Sequence, residues 1–258
     1  MDINLIIPRD YTEMTDKQIR YVAALNIYGM SEKDIWRRCF IKFTGVKPII
    51  GYADKYILAK KGLKGFFSWS IHEMNYFIKK MSWITSDFSG IRPLKINGLH
   101  PCDELMRDAK LLQYINAENH YQAYIFTKDK NELLMLTATL YQSGTNYSQK
   151  KTQKIARKIR NKEIEQFTCL CWMHGIKKEF STKWPYLFQK DKKNEFENPD
   201  FEIVPPNMEL IIRNQIRMLS KGDVTKETQV LASLTHSALD ELNQQCFEYE
   251  KLKSNPNH

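Results

Sequence analysis

A chain of 258 residues with 42% apolar side chains, including 13 Phe, 13 Tyr and 5 Trp, carries enough apolar surface for a sizeable core, which excludes an intrinsically disordered protein. It has no apolar run long enough to span a bilayer, and the opening MDINLIIPRDY sets a four-residue apolar patch behind an acid and ahead of Pro8, so neither a membrane span nor a secretory leader is expected. The net charge of +9 resides in one segment, since Thr145 to Lys193 holds 13 Lys or Arg against 4 acids while the remainder balances; that is a local steering field, not general solubility.

Helix signals come first along the chain. Thr15 with Gln18 forms a capping box, and Ile19, Val22, Ala23 and Ile27 recur on one face until Gly29, predicting a helix from Asp16 to Tyr28. Ser31 with Asp34 repeats the cap, and Ile35, Cys39 and Phe43 draw a second stripe that stops at Gly45 and Pro48, so an αα-hairpin is expected over 16–43. Ser70 and Glu73 open a third helix with Met74, Phe77, Ile78 and Met81 on one face. Gly90 to Pro101 reads as a loop with an extended piece, PLKING, and a small β-hairpin is expected near residues 91–101.

Asp103 to Gln142 predicts two or three helices, with Leu112, Ile115, Tyr121 and Tyr124 followed by Leu133, Leu136, Ala138 and Leu140. SGTNYS is a polar break. The basic segment KKTQKIARKIR follows, and then a stripe of Ile164, Phe167, Cys171 and His174 runs up to Gly175, where that helix is expected to end. Lys190 to Pro206 is charged and holds Pro199, Pro205 and Pro206, which suits a linker. Two helices close the chain, Met208 to Ser220 and Lys226 to Leu252. The second carries Leu231, Leu234, Ala238, Leu242, Cys246, Tyr249 and Leu252 at steps of three or four.

These elements predict a mainly α protein, an irregular multi-helix bundle with short loops. Its expected parts are an N-terminal helical lobe (1–145), a basic helical segment packed on it (146–189), a linker (190–206) and a C-terminal helical pair (207–258).

The stretch YGMSEKDIWRRCF, Tyr28 to Phe40, has the outline of a DNA-reading helix-turn-helix. Gly29-Met30-Ser31 supplies the turn, Ile35 a buried aliphatic, and Glu32, Lys33, Trp36 and Arg37 would face outward. Leu25 stands where a small residue is usual and Arg38 where a second buried aliphatic belongs. The exposed charges are also mixed, which favours an ordinary helical corner.

In KKTQKIARKIRNK, helical spacing puts Lys151, Lys154 and Lys158 on one side with Arg157 close by, and Ile155 and Ile159 on a narrow apolar strip. Lys150, Lys151, Lys154, Arg157, Lys158, Arg160 and Lys162 are therefore the candidate contacts to a polyanion or an acidic partner. No aromatic residue interleaves with them, which disfavours single-strand stacking. A solvated face, a phosphate backbone, a protein partner and a membrane surface all remain readings of this segment. Leu231, Leu234, Leu242, Tyr249 and Leu252 are the candidate partner-docking residues, against the alternative that their helix packs back on its own lobe.

Five cysteines without a framework spacing predict reduced thiols and a cytoplasmic setting. Cys171 and His174, three apart, could share an ion only with help from His100 and Cys102, and buried soft side chains are the simpler reading. The chain has no GxSxG, phosphate-binding glycine loop or HExxH, and its six histidines are scattered singly, so no enzyme, metal or cofactor is expected.

Three blocks, MTDKQIRYVAAL, DIWRRCFIKFTGVKP and INAENHYQAYIFTKDKNELLMLTATLYQ, resemble proteins encoded in tailed phages and integrated phage-like elements, over about the first 140 residues with an echo in the last helices. The resemblance implies a helical protein of the virion or its assembly pathway, located in the virion or in the cytoplasm of an infected or lysogenic bacterial cell, with no catalytic residue to carry over. The expected function is thus a non-enzymatic structural or assembly component that contacts neighbouring subunits in a homo- or hetero-oligomer. The alternative is a nucleic-acid-binding protein using 150–162 or, with less support, 16–43.

Overall fold

The computed structural model describes residues 5–52, 54–62, 65–188 and 208–254. The expected linker at 190–206 lies outside them. The chain forms two compact units, Met1–Leu94 with Glu163–Gly175, and Lys95–Lys162 with Ile176–His258. These divisions fall at other places than the boundaries expected near 145 and 190.

The first unit opens with a short 3-10 turn, Tyr11–Glu13, followed by α1 (Asp16–Ile27) and α2 (Glu32–Thr44). Both caps are formed as expected: Thr15 and Gln18 make a reciprocal capping box, and Ser31 accepts from the Asp34 N–H. Gly45 ends α2 in the left-handed region at φ 71°, a conformation that glycine adopts without strain. Ile19, Val22, Ala23 and Leu25 of α1 and Ile35, Cys39 and Phe40 of α2 are buried.

Next come β1 (Val46–Tyr52), β2 (Lys55–Lys60) and β3 (Phe67–Ser70), an antiparallel meander in the order β1-β2-β3. The mainly α class with a small β element therefore holds, but the strands lie at 46–70. Residues 91–101 form no ladder. There the chain is pinned by buried Ile91 and Leu94 and turns through a Leu99 N–H to Ile96 carbonyl bond of 3.1 Å. A register shift between Pro48 and Ile50 fits a strand that contains proline, which cannot donate to a ladder. β3 leads into α3 (Ile71–Lys79) through a second capping box, Ser70 with Glu73, and α4 (Trp83–Ser86) follows. Trp69 stacks on Phe77 at 4.8 Å and meets Phe67 at 5.3 Å, joining sheet and α3.

α5 (Leu111–Thr127) and α6 (Lys130–Leu140) form a helical hairpin in the second unit, turned by Lys128 at φ 56° and capped by Asp129. α7 (Gln149–Ile159) packs on α6. α8 (Glu163–Lys183) runs through the expected stop at Gly175, its residues up to Gly175 belonging to the first unit and those from Ile176 to the second. α9 (Met208–Leu219), α10 (Glu227–Ala232) and α11 (Thr235–Ser254) close the described chain.

The single helix expected over 226–252 is broken at Ser233 and Leu234. Backbone groups there pair outside their own helix: the Leu111 N–H donates to the Ser233 carbonyl and the Thr235 N–H to the Ala109 carbonyl, both at 2.9 Å. A continuous helix would have turned those groups inward on itself. Among the described residues no helix is long and apolar enough to cross a membrane.

Candidate nucleic-acid interface

α7 is held by one face. Thr152, Ala156 and Ile159 are buried, and Ala156 and Ile159 cluster with Ala138, to which Ile96, Leu99, Leu134, Met135 and Ile155 add partly buried surface. Its entry is tied by Gln142, whose side-chain Nε2 donates to the Thr152 hydroxyl at 2.8 Å and whose side-chain Oε1 accepts the Ser148 N–H at 3.1 Å. Gln113 in turn donates to the carbonyls of Thr139 and Gln142, both at 2.9 Å. Two buried glutamines thus fix the corner from which α7 departs.

All seven candidate cations, Lys150, Lys151, Lys154, Arg157, Lys158, Arg160 and Lys162, lie exposed on or just beyond the other face. Lys151 reaches the Asn146 carbonyl at 3.3 Å. Arg157 and Lys158 stand in the last turn, where the helix dipole favours cations. Lys150 and Lys151 stand in the first turn, which has no acid and no side-chain cap from Ser148. Cations there oppose the dipole, and the Lys150, Lys154, Lys158 series repels itself at i,i+4 spacing, by a few tenths of a kcal/mol each. The charge array therefore detracts from helix stability, while the buried face supplies it.

The candidate docking residues divide. Leu242 is fully buried with Ala238 and Leu239, so the first half of α11 packs into its own unit. Leu231, in α10, is half-buried. Leu234 is 48%, Tyr249 59% and Leu252 75% exposed. Phe247 rests against Tyr186 at 4.9 Å, and the Lys253 ammonium lies over the Tyr249 ring at 4.4 Å.

In the helix-turn-helix stretch, Trp36 is not displayed as that reading requires: its indole N–H donates to the Thr85 hydroxyl of α4 at 2.9 Å. Cys39, Cys102, Cys169 and Cys171 are buried. Burial pushes the Cys39 thiol up to about 12 and raises that of Cys171 further. His174 sits edge-on to Phe88 at 5.8 Å. Among the described residues no three His, Cys, Asp or Glu side chains gather as a metal-ion site.

Some polar groups give no signal in the sequence because their partners are remote. His236 Nδ1 accepts from the Lys183 ammonium at 3.1 Å, so Nε2 carries the hydrogen and donates to the Leu105 carbonyl at 2.7 Å. The Trp184 indole donates to Asp240 at 2.5 Å. These bonds orient the start of α11. Only the i,i+4 relation of His236 to Asp240 could have hinted at them.

Comparison of the chain with protein families, with curated proteins and with solved structures gives no match.

Proposed function

We propose that the protein is a non-enzymatic nucleic-acid-binding protein that contacts the phosphate backbone through α7, in the setting of phage or phage-like assembly that the sequence resemblance implies. One observation carries this reading: five exposed cations stand on a helix whose opposite face is locked into a core, and two more, Arg160 and Lys162, follow just beyond its end. Phosphates relieve the mutual repulsion of such an array, and binding gains from release of the counterions condensed on the nucleic acid, which the side-chain cations replace. The absence of aromatic residues among the cations favours backbone contact over base stacking.

The test is the salt dependence of binding to a labelled duplex. The variant Lys154→Gln/Arg157→Gln/Lys158→Gln should flatten the slope of log K against log salt by roughly 2 to 3, about 0.9 per lost contact. An unchanged slope, or no binding even at low salt, ends the proposal.

A second reading, contact with neighbouring protein subunits, is favoured by the exposed Tyr249 and Leu252 in the last turns of α11. Exposed aromatic and aliphatic side chains on one helix end suit a protein partner better than a phosphate backbone.

A further inference from the structure

The surface of α2 that does not enter the core presents Asp34, Arg37, Arg38, Ile41 and Lys42, at helical spacing, to a groove of about 960 Å³. The base of the β1–β2 hairpin adds Lys47, Lys60 and Lys61. Gly45 makes this convergence possible. Its left-handed backbone turns the chain from helix into strand within one residue, and its carbonyl accepts the Lys61 N–H at 3.2 Å. A β-carbon at position 45 would stand 3.3 Å from that of Lys61. Val46 then pairs with Lys60 and Lys47 with Ala59, so cations up to 24 positions apart in the chain share one concavity.

We infer that this groove binds the phosphodiester backbone of duplex nucleic acid. Six cations face one carboxylate, and the Asp34 carboxylate is engaged in the helix cap, accepting the Ser31 hydroxyl at 2.6 Å. Convergent like charges in a concave surface focus a positive potential, and cations that neutralise phosphates there release the counterions condensed along a polyanion. An extended ligand fits better than a single phosphate, because the cations are exposed or half-buried along an open groove, not gathered as buried donors around one anion. A duplex fits better than a single strand. The aromatic residue of the lining, Tyr21, is half-buried, carries the Lys42 ammonium over its ring at 5.6 Å and meets Phe43 edge-on, so it offers no open platform for a base. An acidic protein fits less well, since the lining has Ile41 and Ala59 but no large apolar anchor. The groove belongs wholly to the first unit and α7 to the second, so this inference does not depend on the α7 reading.

The experiment measures binding of the full chain to a short fluorescent duplex across a salt series. Arg37→Gln/Arg38→Gln/Lys47→Gln/Lys61→Gln should flatten the log–log slope by roughly 3 to 4, about 0.9 per contact. A control that removes as many exposed charges outside the groove, Lys17→Gln/Lys33→Gln/Lys55→Gln/Lys79→Gln, should leave the slope near that of the parent. Arg37→Lys/Arg38→Lys, which keeps the charge, should retain it too. The inference is overturned if the groove variant keeps the parent slope, if the control flattens it equally, or if a single strand or polyglutamate competes as well as the duplex. A slope that responds to the groove variant but not to the Lys154, Arg157 and Lys158 changes upholds the groove and removes α7. The opposite result removes the groove alone.

Discussion

Gly175 lies within α8 against the backbone carbonyl of Phe88, and a β-carbon built at position 175 would stand 2.6 Å from that oxygen. A glycine after an apolar stripe ordinarily signals a helix end. Here it is the residue that lets another stretch of backbone touch the helix. Gly175→Ala should improve intrinsic helix propensity by about 1 kcal/mol, yet the overlap is with main chain that no rotamer change relieves. The expected net effect is a loss of about 1 to 3 kcal/mol. Thermal denaturation checks it, and a raised Tm would contradict the close approach.

Glu118 and Lys177 form an ion pair that is mostly buried: Glu118 retains 8% exposure, and its carboxylate also accepts from Gln122 at 2.7 Å. Lys177 lies 5.2 Å from the Tyr121 ring centroid. Removing the cation strands a buried carboxylate, so Lys177→Met should cost about 2 to 3 kcal/mol, below the full value for a buried pair because Lys177 keeps some solvent. Glu118→Gln leaves an ammonium that can reach water and should cost about 1 kcal/mol. Urea denaturation of both variants decides the order. If the glutamine variant is the less stable, the pair is not acting as described.

The Arg107 guanidinium and the backbone N–H groups of Arg107 and Leu105 hold the Asp103 carboxyl down to about 2, from an ordinary 3.8. The guanidinium bonds measure 2.7 and 2.8 Å. A carboxyl with a depressed folded-state pKa contributes stability that is fully present above pH 3.8 and disappears as the pH falls toward 2. Arg107 is largely exposed, so solvent screening limits the contribution to about 1 kcal/mol. Asp103→Asn should lose that amount at neutral pH, and the difference from the parent should vanish on acidification through this window. A difference that persists at the acid end would point to another cause.

Four of the five cysteines are buried, while Cys246 is half-buried, its thiol raised by desolvation and then by Glu250. In the native protein a disulfide reagent at about pH 8 should titrate one thiol slowly, since reactivity follows thiolate fraction and access. All five should react after unfolding. Cys246→Ser should abolish the native reaction, and a second thiol reacting before unfolding would contradict the burial of Cys39, Cys102, Cys169 and Cys171.

If the end of α11 contacts a second copy or another subunit, Tyr249→Ser/Leu252→Ser should weaken concentration-dependent association without lowering Tm. Both side chains are exposed and support little of their own unit. Sedimentation velocity over a concentration series reads the effect. A parent protein that stays monomeric throughout removes self-association.

Thr15, Ser31 and Ser70 each announce a helix that is present, and the basic array from Lys150 to Lys162 is legible from the order of its residues alone. These features depend on neighbours three or four residues away, through caps and helical periodicity, so the chain specifies them locally. The sheet at 46–70, the continuation of α8 past Gly175 and the break at Ser233 depend on distant partners: Lys60 for Val46, Phe88 for Gly175, Ala109 and Leu111 for the 233–235 backbone. The same holds for charge. Around Arg37 the sequence shows a mixture of signs that argues against an anion, whereas the fold carries Lys47, Lys60 and Lys61 beside it. Electrostatic potential follows distance in space, and the left-handed turn at Gly45 is what converts a neutral-looking stretch of helix into one wall of a positive groove.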